Sequence, residues 1–165
     1  MQVLQAVALM ATTITAGLVA GLMAAFAYAV MPGLAQTGER VFVATMQRIN
    51  AAIVNVWFMI IFLGTLVFGI VAAITHMRAG TWPVAWWTII GLAFYVGALI
   101  VTGTVNVPLN KQLDDAGMPD DLTQVAVARN RFEARWVRWN VVRTVLCLAA
   151  FGCFAWALVR HGQLS

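Results

Sequence analysis

Hydrophobic positions run through the chain in long blocks separated by short polar punctuation. Residues 1–38, 49–77 and 79–110 carry no charged side chain, and a fourth such stretch lies between Arg143 and Arg160. A membrane-spanning helix needs about 20 apolar residues, and backbone in lipid must satisfy its own hydrogen bonds. The blocks therefore predict four spanning helices, at about residues 3–30, 54–75, 84–105 and 139–159. Between the first two, Val41, Phe42, Met46, Ile49 and Ile53 recur at helical spacing with Arg40, Gln47 and Arg48 among them. That pattern predicts an amphipathic helix over about 39–53, lying at the membrane surface. Pro32-Gly33 is expected to end the first helix, and Pro108 to break the chain after the third. Residues 112–121 are turn-rich, and Asp120 or Asp121 can cap a new helix. No breaker follows from Leu122 to Arg160, so the fourth span should carry a helical extension over about 121–138, long enough to project from the bilayer or bend over the bundle mouth.

The expected fold is all-α: a single integral-membrane domain, 1–165, built as a four-helix bundle with an interfacial amphipathic helix and a long, cytoplasmically extended fourth helix. Composition agrees. Hydrophobic residues make up 62% of the chain and charged residues 10%, against about 25% charged in soluble domains. A soluble enzyme, a disordered chain and a nucleic-acid-binding module are all excluded on this ground, and the formal charge of +4 reads as a topology signal. Ala27-Tyr28-Ala29 has the small-residue form of a signal cleavage site, but no basic residue precedes the apolar run and the run is too long, so a true span is expected. Two Lys+Arg (Arg78, Arg160) flank the terminal side of the spans. Eight (Arg40, Arg48, Lys111, Arg129, Arg131, Arg135, Arg138, Arg143) lie on the other side. This places the long loops in the cytoplasm and both termini outside a bacterial-type cell membrane. Trp57, Trp136 and Trp139 are expected at one interface, and Trp82, Trp86, Trp87 and Trp156 at the other. Gly17 and Gly21 form a G-x-x-x-G row suited to close packing within the bundle or to a homodimer seam.

Polar groups at membrane depth carry the functional signal. Cys147 and Cys153 cannot pair along one helix and read as small buried hydrophobes. His76 and His161, at the ends of two spans, have the residue type to ligate heme or copper, but no carboxylate lies nearby in sequence to orient either ring, so they read as interfacial histidines and no metal is expected. More informative are Asn55 with Trp57, the amides Asn106 and Asn110 around Pro108, and a stripe on the fourth helix. Arg129, Glu133, Trp136, Asn140 and Arg143 fall within about 80° of arc. Arg131, Arg135 and Arg138 face the other way, toward water or headgroups. An arginine inside the apolar zone should face the bundle interior and find partners. The stripe is either a ligand site or an ion-pair stitch holding the long helix down.

At Asn55-Val-Trp57, Asn106-Val-Pro-Leu-Asn110 and Trp136-Val-Arg-Trp-Asn-Val-Val-Arg-Thr144 the chain resembles the anthrone oxygenase family of small four-span membrane proteins. The resemblance covers nearly the whole chain. It implies oxidation of an anthrone, or a similar polycyclic aromatic or hydroquinone, by molecular oxygen as co-substrate, without a dedicated metal or flavin. On that reading Arg143, Asn140 and Asn106 hold an oxyanion and Glu133 is the default base, with Asp114 or Asp115 as substitutes. Asn55, Trp57, Asn110, Trp136 and Trp139 then contact the substrate. Expected partners are membrane lipid and an apolar aromatic molecule. The rival reading is a non-catalytic membrane protein that binds a quinone-like or lipid ligand, or serves as an accessory subunit. A transporter is disfavoured by four short-looped spans with no inverted repeat.

Overall fold

The computed structural model describes residues 1–164 and consists of five helices: α1 (Gln2–Ala35), α2 (Glu39–Ile53), α3 (Val56–Arg78), α4 (Trp82–Asp115) and α5 (Leu122–Leu164). All but α2 are long and apolar enough to cross a membrane. Their closest pairings run α1–α3–α4–α5–α1 around a square. One end of the bundle gathers Gln5, Thr75, His76 and His161. The other gathers Met23, Asn106, Trp136 and Asn140. Successive spans therefore alternate in direction.

Two expected breaks do not occur. α1 continues through Pro32 to Ala35, and α4 continues through Pro108 to Asp115. Each proline sits two residues past a five-residue π-helical bulge, at Phe26–Val30 and Thr102–Asn106. The closing bonds run from the Met31 N–H to the Phe26 carbonyl and from the Val107 N–H to the Thr102 carbonyl. A proline in a regular helix removes one bond and collides with the carbonyl four residues back. Widening the preceding turn removes that collision, so the helix proceeds.

α2 forms as its periodicity predicts, burying Phe42, Val43, Met46 and Asn50. α5 is longer than expected: 43 residues, or ~65 Å, with Asp121 capping it by accepting the Thr123 N–H at 2.8 Å. Its first half is covered by α2 and the end of α4, where Phe42, Met46, Leu109, Leu113, Val125, Phe132 and Trp136 form one core. α2 is strapped down in turn. Gln47 donates to the Leu113 and Gly117 carbonyls, and Arg40 to those of Pro119 and Asp120.

Small residues close the middle of the bundle. A Cβ on Gly91 would stand 2.6 Å from the Phe154 ring, and one on Gly17 3.0 Å from Phe151. Gly17 is thus committed to packing inside the chain; Gly21 has open space beside it. Trp82, Trp86, Trp87 and Trp156 are exposed on the outside, as an aromatic belt requires. Trp136 is not part of the other belt: it is buried between Phe26 and Phe132.

Candidate functional site

A cavity of about 110 Å³ opens at the mouth of the bundle, between α2, the two π-bulges and α5. Met23 and Phe26 line it from α1, Asn50 from α2, Phe58 and Phe62 from α3, Thr102, Asn106 and Asn110 from α4, and Trp136 and Arg143 from α5. Both bulges contribute because widening the turn rotates Phe26 and Asn106 inward; each is the buried residue of its bulge. Val54 and Val107 are the exposed residues of its lining, at 70% and 52%.

Arg143 forms the polar wall. Its Nη2 donates to the Asn140 Oδ1 at 2.8 Å and its Nη1 to the Thr102 Oγ1 at 3.4 Å. The guanidinium carbon lies 5.5 Å from the centre of the Trp136 ring. Asn140 is held by its own donation to the Met23 carbonyl at 3.1 Å, so its oxygen is aimed at Arg143 by α1. Trp136 is clamped through its indole N–H, which reaches the Asn110 Oδ1 at 2.7 Å. Asn106 donates to the Trp136 carbonyl at 3.4 Å.

Among the described residues, three buried side-chain atoms have no hydrogen-bond partner: Asn50 Nδ2, Asn106 Oδ1 and Arg143 Nε. All three residues line this one cavity. Buried polar atoms are nearly always satisfied in folded proteins, and leaving one unpaired costs about 1–3 kcal/mol or more. Two donors and an acceptor are thus left unanswered on residues that line one void. No carboxylate lines the cavity, so the Arg143 charge lacks a counter-ion there.

The expected site residues divide accordingly. Asn106, Asn110, Trp136 and Arg143 share the cavity, with Asn140 directly behind Arg143. Glu133 does not join them. Its Oε2 accepts from the Arg129 Nε at 2.6 Å, and it lies one residue short of three helical turns before Arg143, ~15 Å along α5. The lower stripe is the ion-pair stitch. Arg129 also donates to the Ala35 and Thr37 carbonyls at 3.0 and 2.9 Å, meets Glu39 at 3.4 Å, and covers the Phe42 ring at 4.4 Å. It thereby caps the carboxyl end of α1.

Asp114 and Asp115 are exposed and outside the cavity. Asn55 caps α3, accepting the Phe58 N–H at 3.0 Å and donating to the Ala52 carbonyl at 2.9 Å. Trp57 is 74% exposed and does not line the cavity. Trp139 is half-buried and also outside it.

Sequence reasoning passed over Asn50, although it stands four residues after Met46 and eight after Phe42 on the buried face of α2. A polar residue in register with an apolar stripe was the available signal. Thr102, at the start of the second bulge, also meets Arg143.

A family model described as Anthrone oxygenase matches residues 57–153, more than half of the chain. The matched stretch contains Asn106, Asn110, Trp136, Asn140 and Arg143, and leaves Asn50 outside. No curated protein and no solved structure matches the chain.

Proposed function

The chain belongs to the anthrone oxygenase family, and we propose that its cavity binds the enolate of an anthrone, or of a similar polycyclic aromatic ketone, and lets that anion react with molecular oxygen. The observation that carries this reading is the buried Arg143 guanidinium, with an unpaired Nε and no carboxylate beside it. A cation at this depth favours an anionic occupant, because its attraction for an oxyanion is little screened there.

Loss of a methylene proton from the substrate gives an electron-rich enolate whose oxygen faces Arg143 Nε and Asn50 Nδ2. The Asn106 carbonyl oxygen accepts from a hydroxyl on the flanking ring. Such preorganised donors stabilise the developing charge as an oxyanion hole does. The carbanion carbon then adds to oxygen, and the resulting peroxide anion takes up a proton, giving a hydroperoxide. Loss of water yields the ketone, so the balance is one methylene and one O₂ to one carbonyl and one water. With Glu133 held in the stitch, the departing proton passes to water at the mouth, and Arg143 supplies the acidity by stabilising the anion.

A cavity of 110 Å³ holds about one aromatic ring, since a 150 Å³ cavity accepts benzene. The edge bearing the oxyanion enters, and the flanking rings lie against the exposed Val54 and Val107. The membrane concentrates both substrate and oxygen there. The distribution of Lys and Arg supports a cytoplasmic mouth in a bacterial-type cell membrane, with both termini outside.

The test is oxygen consumption by purified protein with an anthrone. Arg143→Leu should abolish it while the variant still elutes as a folded species; survival of activity in that variant overturns the assignment. One observation favours a second reading: the cavity contains no carboxylate or histidine to act as a base. A non-catalytic site for a quinone-like or lipid anion needs none. Ligand binding that requires Arg143, without oxygen consumption by the wild type, would select that reading.

A further inference from the structure

The end of the bundle opposite the cavity holds a second polar cluster. His76, in the last turn of α3, is fully buried. Its Nδ1 lies 2.8 Å from the Ala72 carbonyl. A ring nitrogen facing a carbonyl must carry the proton, so Nε2 presents its lone pair. That lone pair points to the His161 Nδ1, 3.1 Å away on the last turn of α5, with the two rings nearly perpendicular at 83°. The floor beneath is apolar, formed by Ala8, Leu9, Ala72, Val84 and Ala157.

A buried imidazole whose far nitrogen is fixed by a backbone carbonyl is the arrangement that orients metal-ligating histidines. We propose that His76 and His161 form a two-histidine site for a monovalent d¹⁰ cation of the Cu(I) kind, His76 ligating through Nε2 and His161 through Nδ1.

Charge selects the ion class. All six Asp and Glu side chains belong to residues 39, 114, 115, 120, 121 and 133, toward the cavity end of the molecule. No group of three or more His, Cys, Asp or Glu capable of holding a metal occurs among the described residues. A divalent ion wants four or more ligands and counter-charge in such a medium. A monovalent d¹⁰ ion is satisfied by two nitrogens in a line and carries half the charge to desolvate.

Geometry requires little change. Two metal–nitrogen bonds of about 2.0 Å put the nitrogens ~4 Å apart, slightly under 1 Å wider than the present 3.1 Å. His161 is partly exposed, in the last turn of α5. It adopts its other neutral tautomer to bind. Eighteen residues separate His161 from Arg143 along α5, ~27 Å, so this site is independent of the cavity.

The experiment is an anaerobic titration of the full chain in detergent with Cu(I), against a chromogenic chelator, in a Cys147→Ser/Cys153→Ser background that removes thiol binding. One equivalent per chain should bind. Affinity should fall at least 100-fold in both His76→Gln and His161→Ala. X-ray absorption should show two nitrogen scatterers in linear geometry. His161→Ala alters a partly exposed side chain, so its folding is not in doubt. Absence of Cu(I) binding, binding unchanged in His161→Ala, or tighter binding of Zn(II) than of Cu(I) would each overturn the proposal.

Discussion

Arg129 and Arg143 lie on the same stripe of the same helix, and the molecule treats them in opposite ways. Arg129 meets two carboxylates, two carbonyls at the end of α1 and an aromatic face. Every strong direction of its guanidinium is answered from within the chain. Arg143 meets an amide, a hydroxyl and a ring, and keeps one N–H unanswered in a cavity without a carboxylate. The first arrangement maximises internal satisfaction and so serves stability. The second leaves interaction energy unrealised, which the proposed binding role requires. Burial does not distinguish the two, since both are nearly excluded from solvent, at 9% and 6%. What separates them is the partner set.

The sharpest way to break this contrast is Arg143→Leu. Activity should fall by about 10²–10³-fold, the usual effect of removing an oxyanion donor. Thermal stability should stay level or rise, by ~1–2 kcal/mol, because an uncompensated buried charge is replaced by an apolar side chain. A destabilised Arg143→Leu would mean that this residue too is structural.

Arg129→Ala should do the reverse. It strands Glu133 and uncaps α1, which should cost ~3 kcal/mol in reversible unfolding. Oxygen consumption per folded molecule should stay within about twofold. Next in size is Asn106→Leu, which removes the orphaned acceptor at nearly constant volume. Its rate should drop about tenfold, the worth of ~1.4 kcal/mol in the barrier, with little change in unfolding. The smallest effect is expected from Glu133→Gln. The amide keeps a hydrogen bond to Arg129, so turnover should change less than about twofold. A large loss there would restore Glu133 as the base and dissolve the distinction between the two ends of the stripe.

Much of this organisation was readable in one dimension. The stripe on the fourth helix, the amphipathic α2, the cap at Asp121 and the interior position of Arg143 all follow from spacing. The helix period converts spacing directly into a face. The prolines misled for a specific reason. Pro32 and Pro108 break a helix only if the preceding turn is α-helical, and the bulges at Phe26–Val30 and Thr102–Asn106 remove that condition. Bulge formation depends on what the widened turn packs against, and no local rule contains that information. Glu133 misled differently. It shares a face with Arg143, but a face fixes only the angle around the helix axis, not the distance along it. Trp136, Asn55 and Trp57 were grouped by depth in the membrane, which says nothing about direction, and they ended buried, capping and outward-facing respectively.

The sequence by itself determined that this chain is a membrane-spanning bundle of four helices with a polar stripe entering the apolar zone. Hydropathy blocks and helical periodicity are properties of the chain alone. Only the tertiary structure decided which polar groups were answered. It paired Arg129 with Glu39 and the end of α1, brought Asn50 and Asn106 to Arg143 without filling the space among them, and set His76 against His161 across 85 residues of sequence. Satisfaction of a buried group is a matter of distances below about 3.5 Å between distant segments, and those distances exist only once the helices have packed.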